Sequence, residues 1–336
     1  MSYNLDLNTQ FLKRKQSSKR YWQFVNRNNL LGTAITENAK KNPKKAYFDL
    51  LKDKPKANVL IPGITISTDM GEVLVYAPNE DIYSYTVFFE ENVSMRRIYD
   101  MWERKDYLFV IAHPFGLINN SASYLMGLSK LEKFIKEKNI GVEGYNGMMG
   151  YITYYMYDSF FIKTLRDFLW YVQKHKAFNI AGFSKMADRL NQKIDQKSYD
   201  LVYKFSATIK LAQMANFVTA GSGTDYVDRI GSGVLTLDLP KSIFEETNTT
   251  LQNQEILNKI FKKQIVSFGP PGKYTEQLFE RSTARITKKK AYEDLIHLTK
   301  TAIETKKQKK IKEKKQVKEK EEKKQPWVFY FFQCFL

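Results

Sequence analysis

The 336-residue chain has one cysteine, Cys334, and three histidines, His113, His175 and His297. One cysteine permits no disulfide within the chain, which fits a reducing, cytoplasmic compartment. Three histidines exclude a four-His zinc site, and a cysteine-rich one is excluded by the same scarcity. No long apolar run is present: the strongest, Trp327–Leu336, has ten residues and is too short to cross a bilayer. The opening Met1-Ser2-Tyr3-Asn4-Leu5-Asp6 lacks the apolar centre of a signal peptide.

What is plentiful is aromatic and basic. Hydrophobic residues make up 43% of the chain, with 23 Phe and 21 Tyr, enough for a packed core at this length. The net charge is +18. Residues 300–324 hold 12 lysines against 5 glutamates, so +11 remains outside that stretch. A positive body with a positive arm points to DNA, RNA or another acidic partner.

Short apolar runs alternate with helical patterns. Strands are expected at Leu30–Thr36, Asn58–Ile66, Gly71–Tyr76, Tyr107–Ala112, Gly141–Tyr145 and Ala215–Ala220, with Gly71–Tyr76 returning along its predecessor after the Thr68–Gly71 turn. Helices are expected at Ser94–Arg104, Leu128–Lys138, Tyr154–His175 and Ser198–Met214. Strand followed by helix, repeated, predicts an α/β fold with a mainly parallel sheet or barrel, whose strand-end loops carry the chemistry. Phe268–Lys273 reads as a loop closing the barrel. The expected organisation is a barrel over 1–270, a helical extension over 271–305 and a Lys/Glu-rich tail over 306–336. That tail ends in an apolar peptide suited to docking a protein partner. The aromatic stretch Tyr151–Tyr171 reads as a helix packed on the barrel, or as a partner surface or base-stacking platform.

The strand ends are the most specific part of the sequence. In chain order they are Asn4-Leu5-Asp6-Leu7-Asn8-Thr9, Ala34-Ile35-Thr36-Glu37-Asn38, Pro62-Gly63-Ile64-Thr65, Ala112-His113-Pro114, Glu143-Gly144-Tyr145-Asn146 and Gly221-Ser222-Gly223-Thr224-Asp225. This succession resembles the PHP (polymerase and histidinol phosphatase) family, whose pattern runs D-L-H-x-H-T, I-T-D-H, P-G-x-E, A-H-P, E-x-x-N, G-S-D-x-H. The resemblance covers about residues 3–240. It implies a distorted (β/α)7 TIM-like barrel with up to three divalent metals at the C-terminal strand ends, which generate a hydroxide for phosphoester hydrolysis.

Carried across position by position, the resemblance also shows what is missing. Asp6 and Asn8 stand for a His pair, Glu37 and Asn38 for Asp-His, Thr65 for a bridging Glu, Gly223 for Asp and Asp225 for His. The metal positions implied are thus Asp6, Asn8, Glu37, Asn38, His113, Glu143 and Asp225, with His113 and Asp225 as the catalytic pair of any surviving activity. Neutral amides bind hard cations weakly. Asp6, Glu37, His113 and Asp225 suffice for one Mn²⁺ or Mg²⁺ ion if they converge, and for none if they do not.

Three functions follow as expectations. One is a catalytically degenerate PHP-like scaffold in nucleic-acid metabolism, a pseudoenzyme that binds DNA or RNA. The second is a divergent metal-dependent phosphoesterase. The third is a structural component of a larger assembly.

Overall fold

The computed structural model describes residues 1–12, 16–102, 106–116, 121–174 and 183–271. The expected 271–305 extension beyond Pro271, the 306–336 tail with its apolar peptide, His175, His297 and Cys334 lie outside the described residues.

The elements are β1 (Ser2–Thr9), α1 (Ser18–Arg27), β2 (Leu30–Ile35), α2 (Pro43–Lys52), β3 (Val59–Thr68), β4 (Gly71–Tyr76), α3 (Met95–Trp102), β5 (Leu108–Ile111), α4 (Ala122–Met126) and α5 (Leu128–Glu137). Then follow β6 (Gly141–Asn146), α6 (Gly147–Asp158), α7 (Phe160–Lys174), α8 (Phe183–Met214), β7 (Val218–Gly221), β8 (Val234–Asp238), α9 (Ser242–Glu245), α10 (Thr249–Phe261) and β9 (Ile265–Gly269).

Local chemistry accounts for these elements. Ser17 caps α1 by accepting from the Arg20 N–H, and Tyr21, Trp22 and Val25 form its buried stripe. The Trp22 indole N–H reaches the Leu50 carbonyl at 2.9 Å, tying α1 to α2. At the β3–β4 hairpin the Thr68 hydroxyl donates to the Gly71 carbonyl at 2.7 Å, while Gly71 takes φ 118°, open to glycine alone at little cost.

The strands form a nearly closed, barrel-like sheet in the order β7-β6-β5-β4-β3-β2-β1-β8-β9. The ring closes where the chain beyond β7 meets the end of β1. There the Gly223 N–H donates to the Asn8 carbonyl (2.8 Å) and the Gln10 N–H to the Thr224 carbonyl (3.0 Å). Leu5, Leu7, Ile61, Val110, Tyr145, Phe217 and Leu235 belong to the principal core.

The sheet is less parallel than the pattern of strands and helices predicts. β1–β2, β2–β3, β5–β6 and β6–β7 pair parallel, but β1–β8, β3–β4, β4–β5 and β8–β9 pair antiparallel. The physical reason lies in connection length. The turn from Thr68 to Gly71 is too short for a crossover, so β4 must run against β3.

Two helical boundaries also differ from expectation. The span Tyr154–His175 is divided: α6 ends at Asp158 and Ser159 starts α7, its hydroxyl accepting from the Ile162 N–H at 3.3 Å. The helix expected from Ser198 begins instead at Phe183. Phe268 and Gly269 end β9 rather than opening a loop.

Candidate functional site

Because β1, β2, β3, β5, β6 and β7 run the same way, their C-terminal ends share one mouth of the barrel. β4 runs oppositely, so its first residues reach that mouth. The side chains there form a continuous belt of hydrogen bonds. The Thr65 hydroxyl donates to the Thr36 carbonyl at 2.7 Å, and the Thr36 hydroxyl to Asn8 Oδ1 at 2.8 Å. Asn8 Nδ2 donates to Glu143 Oε1 at 2.6 Å, joined on that oxygen by Asn146 Nδ2 at 3.0 Å. The His113 backbone N–H donates to Glu143 Oε2 at 2.8 Å, and His113 Nε2 lies 2.9 Å from Glu72 Oε2. The belt therefore links β3, β2, β1, β6, β5 and β4.

Glu143 is the centre of this belt. It is fully buried, and both oxygens receive donors. Burial raises its pKa above the usual carboxylate range, against the opposing effects of His113 and the Asn8 amide. Tyr76, also fully buried, is pushed well above the ordinary phenol value by burial and then by the Glu143 charge. Its hydroxyl donates to the Leu7 carbonyl at 2.7 Å.

Asp6 serves the backbone. Its Oδ1 accepts from the Ser222 N–H at 2.8 Å and the Asn8 N–H at 3.2 Å, and its Oδ2 from the Gly231 N–H at 2.7 Å. Burial pushes its pKa up to about 6, although the bonds to Gly231 and Ser222 pull the other way. Asp6 thereby pins the loop beyond β7 to β1.

Glu37 does similar work at β2. Its Oε2 accepts from the Phe11 and Leu12 N–H groups, both at 2.9 Å, while its buried Oε1 has no hydrogen-bond partner among the described residues. Asn38 Oδ1 accepts from the Lys40 N–H at 3.0 Å, capping a short 3-10 turn. Asp225 is buried in the loop beyond β7.

His113 combines three features. Its φ of 26° is unusual for a residue with a side chain. Its imidazole and Glu72 are each 22% exposed. Burial lowers its pKa, but the bond to Glu72 and the Glu143 charge outweigh that, so the net shift is upward. His113 Nδ1 lies against Gly116, where an added Cβ would sit 2.9 Å from it.

Gly223 sits where no side chain fits. Its φ is +62°, and a Cβ there would lie 2.1 Å from Asn146 Nδ2. The space a side chain would need is filled by the Asn146 amide, which bonds Glu143 and whose Oδ1 caps α6 through the Met149 N–H at 3.1 Å.

Of the residues singled out from sequence, the structure joins Asn8, Glu143 and His113 directly. It commits Asp6, Glu37 and Asn38 to backbone groups. Among the described residues, no three His, Cys, Asp or Glu side chains are grouped so that they could hold a metal ion. As arranged, the donors do not fit one: Asp6 and Glu143 already receive hydrogen bonds on both oxygens, and His113 Nε2 is paired with Glu72.

Glu72 is the member that reading by strand ends missed. It stands at the start of a strand, where that rule does not look. The Thr68–Gly71 turn held the signal, since a hairpin return brings its first residues to the same mouth.

No family model matches the chain, and no curated protein matches it. Among solved structures it is similar to PsfC from Pseudomonas syringae, with a TM-score of 0.48 and 12% identity over 85% of this chain and 98% of that one. It is also similar to a two-domain protein from Bacteroides vulgatus containing a predicted PHP-like metal-dependent phosphoesterase. That match has a TM-score of 0.43 and 11% identity over 79% of this chain, and this chain spans 64% of the other's length.

Proposed function

We propose that this chain is a PHP-like barrel whose metal pocket has become an internal hydrogen-bond belt, and that it works as a noncatalytic scaffold binding nucleic acid. The observation that carries the first half is Glu143. A carboxylate at the family's E-x-x-N position accepts from Asn8, Asn146 and the His113 backbone, and so closes the mouth instead of presenting a charge to an ion. Replacing ligands by asparagines keeps the geometry and removes the charge that would gather cations.

Charge supports the second half. At +18 the chain attracts polyanions, and contacts to phosphates release counterions. Binding to DNA or RNA is therefore expected to weaken steeply between low and high salt, without turnover. Electrophoretic mobility shift at two salt concentrations tests this, and no complex at either would sink the reading.

A second reading, a divergent phosphoesterase, has one observation in its favour. The His113–Glu72 pair is partly exposed and joins an imidazole to a carboxylate at 2.9 Å, a pair able to move a proton. Mn²⁺-dependent phosphate release that disappears in His113→Ala would select this reading over the scaffold.

A further inference from the structure

α7 and α8 pack antiparallel. The Ser184 hydroxyl reaches the Gln173 carbonyl near one end, and Arg166 pairs with Asp195 at 3.0 Å further along. Between them lies a small core of Ile162, Leu169, Val172, Ala187 and Ile194, separate from the barrel core. The aliphatic side chains Ile162, Leu169 and Val172 are thus spent inward.

The outward side is different in kind. Every large apolar side chain that is exposed on α6 and α7 is aromatic, including Phe160 at 85%, Phe161 at 59% and Trp170 at 58%. The hydrophobic effect alone does not sort aromatic from aliphatic groups in this way, since it follows area.

Part of this surface is ordered as a ladder. The Arg229 guanidinium sits 3.6 Å from the Tyr151 ring centroid. Tyr151 stacks on Tyr155 at 6.2 Å and 29°, and Tyr155 on Phe161 at 6.3 Å and 18°. Arg229 belongs to the segment that follows β7, and α6 follows β6, so the ladder starts at the rim of the mouth and runs outward along α6 to α7.

Cations accompany it. Lys174 lies over the Trp170 ring at 5.9 Å. Asp158 and Asp195 are neutralised by Lys163 and Arg166, whereas Lys185, Arg189, Lys193 and Lys197 on α8 have no ion pair among the described residues.

We infer that the α6–α7 face is a binding surface for single-stranded nucleic acid. Unpaired bases stack on the exposed rings and the phosphates meet the cations set against them, Arg229 and Lys174. Planar rings with adjacent positive charge suit unstacked bases of any sequence. Bases within a duplex are already stacked and cannot reach such rings, so the face discriminates single strands from duplex. The inference rests on the nucleic-acid reading above and names the site and strand form within it.

The test is fluorescence anisotropy of the full chain with labelled oligothymidylate and with a duplex of equal length, at low salt. Phe161→Ala and Trp170→Ala are each expected to weaken single-strand binding roughly tenfold, with duplex binding unchanged and Trp170→Phe close to the parent. Circular dichroism confirms that these exposed positions leave the fold intact. Equal binding of single strand and duplex, unchanged in both alanine variants, overturns this inference while leaving charge-driven binding standing. No binding of either form overturns both. Loss of sedimentation with anionic phospholipid vesicles in these variants, with single-strand binding unaffected, assigns the face to a lipid surface and also overturns it.

Discussion

The barrel mouth and the α6–α7 face treat their functional-looking side chains in opposite ways. At the mouth, polar groups that could meet a ligand turn inward and satisfy one another: Asn8, Glu143, Asn146, His113 and Glu72 form one belt. On the helical face, apolar rings that could fill a core turn outward. Buried hydrogen-bonded networks are costly to break, whereas exposed side chains contribute little to stability and are free to contribute to binding. Residues with the appearance of chemistry here serve architecture, while helices with the appearance of packing leave an aromatic surface exposed.

The comparison breaks most readily at Glu143. Glu143→Ala leaves the Asn8 and Asn146 amides and the His113 N–H buried without an acceptor, and each such group costs about 1–3 kcal/mol. Urea unfolding should show a loss of at least about 3 kcal/mol. A loss below about 1 kcal/mol would mean that water enters and the belt is not closed.

Next comes the charge on Asp6. Its folded pKa, raised to about 6 by burial, lies above its unfolded value, so the folded state holds the extra proton between the two. Stability should therefore rise as pH falls through about 6, by roughly 1–3 kcal/mol. Glu143 and His113, both shifted upward, act in the same direction, His113 losing its contribution as pH rises through its folded value. The clean readout is the difference between the parent and Asp6→Asn, because the overall charge repulsion at low pH is nearly common to both. Urea midpoints at pH 4.5 and 7 should converge for the two proteins at the lower pH and separate at the higher. Parallel profiles would contradict the assignment.

Gly223 sharpens the same side of the comparison. Gly223→Ala places a Cβ 2.1 Å from the Asn146 amide at φ +62° and should cost about 2 kcal/mol in urea unfolding. Gly223→Asp should destabilise likewise and confer no Mn²⁺ affinity by calorimetry, since Asn146 occupies the space.

The smallest stability effect is expected on the helical face. Phe161→Ala and Trp170→Ala should stay within about 0.5 kcal/mol of the parent in the same assay. A larger loss would place these rings in packing rather than recognition.

Much of the strand framework was legible because buried strands announce themselves. Leu30–Thr36, Asn58–Ile66 and the Gly71–Tyr76 return need apolar runs bounded by turns, and they have them. β8 and β9 were less visible: Val234–Asp238 and Ile265–Gly269 are short and partly exposed, so their composition is mixed. The early start of α8 was hidden for a related reason. Phe183–Lys197 buries only a narrow stripe of Ala187 and Ile194, which gives weak periodicity.

At the site, the strand-end reading named positions and left their roles open. His113, Glu143 and Asn146 do lie at one mouth. That Asp6 would accept from Ser222 and Gly231, more than two hundred residues away, depends on loop geometry that no local pattern records. The ladder of Tyr151, Tyr155 and Phe161 was legible as aromatic content but not as order, because the Tyr155–Phe161 stack spans the break at Ser159 between α6 and α7.

The decisive point is that Asp6 and Glu143 at the mouth are committed to internal donors. Isothermal titration of the purified, chelator-treated full chain with Mn²⁺ tests it most directly. The account predicts no saturable binding, in the parent and in Glu143→Gln alike. One equivalent bound by the parent and lost in Glu143→Gln would contradict it and leave the metal-dependent reading standing.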